Sequence, residues 1–110
     1  MENRKIENCI AACRQCADAC ETCATENKGK AGMENSVILC IACRDACDEL
    51  IIESKYGTTN LDALYTKCEV CCISCASECA KHTDMKYCKE CAEACNQCAV
   101  ECEAMLSVAA

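Results

Sequence analysis

The 110-residue sequence has no Phe, no Trp and no Pro, only three Tyr and a single His. Aromatic rings are the largest pieces from which a core of this size is ordinarily built. Their scarcity means that any interior is assembled from small side chains. Long apolar runs are missing too. Stretches such as Ser36–Ala42 and Leu50–Ile52 fall far short of the roughly 20 residues a helix needs to cross a bilayer. The opening Met1-Glu2-Asn3-Arg4-Lys5-Ile6 meets an acidic residue at once and leads into no apolar segment. It is not read as a signal peptide, and a cytoplasmic location is expected, where thiols stay reduced. Basic residues are outnumbered 11 to 18, for a formal net charge of −7. That balance argues against nucleic acid, which needs clustered cations to displace counterions, and against an anionic membrane surface. Alternation with period two, the mark of a strand, is also lacking.

What is present is cysteine, 18 residues of 110, beyond the share that marks a disulfide scaffold or a metal protein. In a reducing compartment, metal ligation is the expected use. The cysteines fall into four groups: Cys9, Cys13, Cys16, Cys20 and Cys23; then Cys40, Cys43 and Cys47; then Cys68, Cys72, Cys75 and Cys79 with Cys71 beside them; and finally Cys88, Cys91, Cys95, Cys98 and Cys102. Steps of three and four alternate within each group, as on the seam of a helix that faces a bundle core. Ala, Glu, Lys, Gln and Arg, all good helix formers, fill the gaps. Asn27-Lys28-Gly29-Lys30 and Lys55-Tyr56-Gly57 read as helix ends. Thr58-Thr59-Asn60 offers a cap for the helix that follows, and His82-Thr83-Asp84 marks a tight turn. The spacing predicts helices over roughly 3–27, 33–55, 60–81 and 84–107. Short connections make neighbours antiparallel. The expected fold is therefore all-α, one domain, an up-down-up-down four-helix bundle with a Cys-lined core.

Cysteine as an ordinary small hydrophobe does not explain this pattern, because a core of thiols leaves space that Leu or Phe would fill. Residues three or four apart on a helix have Cβ atoms roughly 5–6 Å apart, whereas a disulfide wants about 3.8 Å. Sulfurs within one helix are thus poorly placed to oxidise together and well placed to share a metal ion. Soft thiolates select Cu(I), zinc and iron–sulfur clusters. Eighteen ionised thiols in a narrow interior require cations, and no Lys or Arg occupies a seam position among them. One Cu(I) per thiolate leaves the core neutral, while zinc with four thiolates leaves about two negative charges at each site. Iron–sulfur clusters take four Cys, usually from irregular loops. The spacing points first to multiple Cu(I) ions. A zinc or heavy-metal thiolate buffer is the alternative, with an iron–sulfur or redox module behind it. C-x-x-C pairs such as Cys13/Cys16 and Cys95/Cys98 invite a redox reading, but a thioredoxin-like site needs strands around it. Nothing resembles a nucleophile held by a His and an acid, so no catalytic residue is expected.

The seams end differently. Ile6, Leu50, Ile51, Leu61, Leu64, Tyr65, Met105 and Leu106 make an apolar plug at one end. Cys23, Asn27, Met33, Ser36, Cys79, His82, Met85 and Cys88 lie at the other. There His82 is a candidate ligand, and its imidazole with the Met33 and Met85 thioethers suits a mouth that passes ions inward. Ile10, Val37, Ile38, Leu39, Ile41, Val70 and Ile73 put apolar groups outside the narrow seam, which suggests self-association.

Two stretches carry a family resemblance. One is Cys75-Ala76-Ser77-Glu78-Cys79-Ala80-Lys81-His82 with Cys88-Lys89-Glu90-Cys91-Ala92-Glu93-Ala94-Cys95-Asn96-Gln97-Cys98-Ala99-Val100-Glu101-Cys102. The other is Cys9-Ile10-Ala11-Ala12-Cys13-Arg14-Gln15-Cys16. With these the chain resembles the cytosolic members of the copper storage protein family. The resemblance implies a four-helix bundle filled with Cu(I), a homo-tetramer and no leader peptide. It also implies copper ions and soft Cu(I) acceptors as partners. The chain departs from the pattern between helices 3 and 4, where such relatives tend to carry several His and only His82 is found here.

Overall fold

The structure, a computed structural model, describes residues 2–57 and 61–109, with side chains for 4–57 and 61–106. Four α-helices follow one another: α1 (Glu2–Asn27), α2 (Glu34–Lys55), α3 (Asp62–Cys79) and α4 (Lys86–Ala109). α1 packs against α2 and α4, and α3 against the same two, while the backbones of the diagonal pairs stay farther apart and meet through sulfurs such as Cys16 and Cys72. This is a square antiparallel bundle, 43 Å long and about 20 Å across. Its length matches helices of roughly 25 residues at about 1.5 Å per residue.

The sequence expectation of an all-α bundle holds, and the differences lie at the helix ends. α3 stops at Cys79 and tightens into a 3-10 turn over Ala80–His82, short of the expected residue 81. α4 begins at Lys86 rather than at 84. A 3-10 turn closes i→i+3 bonds and rises faster per residue, so the connection from α3 to α4 uses more of the chain than a simple turn. The cap expected at Thr58-Thr59-Asn60 lies outside the described residues.

Two residue types build the interior. Cysteine points at the bundle axis, and the buried residue beside it is repeatedly alanine: Ala12 next to Cys13, Ala17 next to Cys16, Ala46 next to Cys47, Ala76 next to Cys75, Ala92 next to Cys91, Ala99 next to Cys98. Consecutive residues sit about 100° apart on a helix. When the thiol faces the axis, its neighbour faces the adjoining helix, and a methyl group there lets the two backbones approach closely. At one end Leu50 and Tyr65 are buried, with Ile51, Leu61, Leu64, Met105 and Leu106 packed partly against them. That is the apolar plug. Ile6, one turn further out than Cys9, is 37% exposed and contributes little to it.

Candidate metal centre

All eighteen cysteines are free thiols, and seventeen of them are buried. Each buried sulfur is brought to the axis by its place in a three-four repeat, so four straight helices stack their thiols into one column. In the middle, Cys16 Sγ lies 3.6 Å from Cys43 Sγ, 3.6 Å from Cys95 Sγ and 3.8 Å from Cys72 Sγ. Cys43 and Cys72 approach to 3.5 Å. Toward the end where α1 finishes, Cys40 Sγ is 3.6 Å from Cys75 Sγ and 3.7 Å from Cys91 Sγ. Cys20 is 3.7 Å from Cys91, and Cys23 is 3.7 Å from Cys88. Toward the plug, Cys47 meets Cys68 at 3.7 Å and Cys13 meets Cys98 at 3.7 Å.

Sets of four sulfurs lying within 4.8 Å of one another include Cys13/Cys68/Cys98/Cys102, Cys16/Cys43/Cys47/Cys72, Cys16/Cys20/Cys43/Cys95, Cys20/Cys40/Cys75/Cys91 and Cys23/Cys40/Cys79/Cys91. Sulfur separations near 3.7 Å also match the edge of a tetrahedral thiolate site, given a metal–sulfur bond of about 2.3 Å. Sharing decides between the readings. Cys16, Cys20, Cys40, Cys43 and Cys91 each belong to two of these sets. Closed four-thiolate sites cannot all form at once, whereas ions bridged by shared sulfurs can.

Electrostatics point the same way. Asn27 and Ser36 are the only buried polar or charged side chains among the described residues. The column therefore holds no protein cation to balance a thiolate. Burial pushes the Cys88 thiol up, and Cys71 likewise. Sulfurs that accept hydrogen bonds from neighbouring S–H groups move down. Cys79, facing Cys23 and Cys40, is lowered, and so is Cys75, facing Cys20 and Cys40. Cys9, facing Cys102 and Cys13, is lowered in the same way. Their donors rise in exchange, as at Cys40 and Cys102. The sulfurs share their protons along the column, and a thiolate formed there has no protein cation beside it.

Two predicted ligands stand apart. Cys71 is only half-buried and bonds no other sulfur among the described residues. It adjoins Cys72, which faces the axis, and the 100° step turns it outward. His82 sits in the 3-10 turn with Nε2 3.4 Å from Glu78 Oε2, and Lys81 Nζ lies 3.2 Å from the same carboxylate. The imidazole is thus paired to an acid one turn back. Helical phase places Asn27 at this end, and the structure adds its contacts. Its Nδ2 donates to Cys23 O at 2.9 Å, to Cys23 Sγ at 3.4 Å and to Cys88 Sγ at 3.6 Å. The clue in the sequence was a polar residue four after Cys23, on a seam otherwise made of thiols.

A bundle whose axis is a continuous column of shared thiols is a metal container. The chain belongs to the copper storage protein family, whose sequence profile matches residues 2–107. Over 102 residues it is 31% identical to the uncharacterized cysteine-rich protein YhjQ of Bacillus subtilis (strain 168), covering 90% of this chain and 94% of that protein. The Cu(I)-bound copper storage protein BsCsp3 superposes with a TM-score of 0.84 at 30% identity, covering 92% of this chain and 97% of that one.

Proposed function

We propose that this chain is a high-capacity cytoplasmic store of Cu(I), holding many ions at once as thiolate complexes along the bundle axis. The observation that carries the reading is a column of buried sulfurs shared between neighbouring sets, with no cationic side chain inside among the described residues. On loading, each S–H gives up its proton and a Cu(I) ion takes its place on sulfur. Monovalent ions bridging shared thiolates keep the interior neutral as it fills. On release, the ions pass to soft acceptors, which compete for them with thiols of their own.

All eighteen cysteines are assigned as ligands, with Cys71 and His82 at the periphery of the set. The role is storage and detoxification, not turnover. A homo-tetramer is the proposed assembly. The family resemblance supports it, as do Ile38, Ile41, Val70 and Ile73, apolar side chains left exposed on α2 and α3.

Anaerobic titration of the reduced protein with Cu(I) against a competing chelator tests the reading. Tight binding of more than about a dozen ions per chain establishes storage, whereas saturation near about four or five would indicate closed tetrahedral sites of the zinc type.

A further inference from the structure

The end at which α1 and α3 finish was expected to be an open mouth, yet it is shut. Cys23, Cys79 and Cys88 are each 0% exposed there. Nothing reaches these sulfurs until part of the protein moves. Met33, itself buried, belongs to the connection between α1 and α2. That connection contains Gly29 at φ 81° and Gly32 at φ 84°, both in the left-handed region that suits glycine. A Cβ at either position would meet no atom within 4 Å, so the loop is not wedged in place. Its backbone bonds are few: Lys30 N–H to Asn27 O at 3.1 Å, Met33 N–H to Lys30 O at 3.2 Å, and Val37 N–H to Met33 O at 3.0 Å where the loop enters α2.

Asn27 and Ser36 flank this loop. Asn27 follows Cys23 by four residues and Ser36 precedes Cys40 by four, and Cys23 and Cys40 share one sulfur set. Both residues therefore stand one turn outside that set, on helices running in opposite directions. They are fully buried, and Asn27 Oδ1 and Ser36 Oγ have no hydrogen-bond partner among the described residues. Buried oxygens without a donor disfavour the state that buries them. Raising the Met33 loop lets water reach both atoms and removes that penalty.

The geometry points to a gate. Met33 is its stopper, the glycine-flanked loop is its hinge, and Ser36 and Asn27 are positioning residues that keep the shut state only marginally preferred. Copper then loads and leaves from this end without the bundle unfolding. The proposal rests on the storage reading for its purpose, but its test does not use copper.

The reduced apo protein is treated with limiting iodoacetamide, a small neutral thiol reagent, and labelling at each cysteine is followed by mass spectrometry. Cys71, half-exposed, serves as the internal reference. Cys23 and Cys88 are expected to label before Cys16 and Cys95. Ser36→Ala deletes one unpaired oxygen, so labelling of Cys23 and Cys88 slows by roughly tenfold, about 1.4 kcal/mol on the opening equilibrium. Cys71 labelling stays unchanged and the unfolding midpoint rises. Met33→Ala accelerates labelling of the same two thiols. Unchanged labelling in Ser36→Ala, a lowered unfolding midpoint in that variant, or labelling that starts from Cys9 and Cys102 overturns the gate. A failed copper titration with this labelling order intact removes the storage reading and leaves the gate standing.

Discussion

Cys16 on α1 and Cys95 on the neighbouring α4 both point at the bundle axis, with sulfurs 3.6 Å apart. Cys16 also reaches Cys43 on α2 and Cys72 on α3, so this one sulfur touches all four helices. It belongs to two overlapping sets of four. Replacing it with serine substitutes a hard oxygen for a soft ligand in both. Cys16→Ser should lose more than one bound Cu(I) per chain, whereas Cys71→Ser, at the periphery, should lose at most one. Native mass spectrometry of the filled proteins reads the difference. Equal losses would mean that the sulfurs act as independent sites.

Fold stability and metal capacity are separable, because the plug contains no cysteine ligand. Leu50 is buried against its neighbours at that end. Leu50→Ala removes those contacts and leaves a cavity, which costs about 2–5 kcal/mol. The reduced apo protein should unfold at markedly lower denaturant, while the loaded variant keeps the parent Cu(I) stoichiometry. A drop in stoichiometry at full folding would show that the plug shapes the column and does not merely seal it.

Most of the column was legible in the sequence because helical phase alone decides which side chains converge. The steps from Cys9 to Cys23 and from Cys88 to Cys102 fix their sulfurs on one face, and the structure puts them there. Phase also explains why Cys71 could not join them: two adjacent residues cannot both face the axis. The ends were less legible. Whether the loop after Asn27 opens or shuts the mouth depends on left-handed backbone at Gly29 and Gly32, which spacing does not encode. His82 lies three residues after Cys79, a seam step. The structure pairs it with Glu78, four back, the ordinary i,i+4 partnership on a helix.

Burial sets a pH limit on the apo protein. Cys88 is raised above the ordinary thiol value of 9.0, chiefly because burial disfavours its thiolate. The folded chain therefore keeps this proton over a range in which the unfolded chain releases it. Stability from the group is complete below 9.0 and is lost as pH rises above that value through the folded pKa. Denaturation midpoints of the reduced apo protein should fall steadily above pH 9.0. In the copper-loaded protein the proton has already been displaced, so the same scan should be flat. An apo midpoint that rises on the alkaline side would reverse the sign and contradict the burial argument.

Charge offers the sharpest distinction between the two soft metals. With its thiols protonated, the chain carries a formal net charge of −7. Exchanging each thiol proton for one Cu(I) adds a cation for every proton lost, so the filled protein keeps that charge. Closing a zinc site removes four protons and adds only two positive charges, a change of about −2 per site. Native electrophoresis under anaerobic, reducing conditions should show the copper-filled chain co-migrating with the apo chain, because the bundle gains mass inside and no charge. A zinc-filled sample should move faster toward the anode as sites fill. Faster migration on copper loading would mean fewer ions than thiolates, and the neutral column would have to be replaced by one that stores negative charge without a buried cation to balance it.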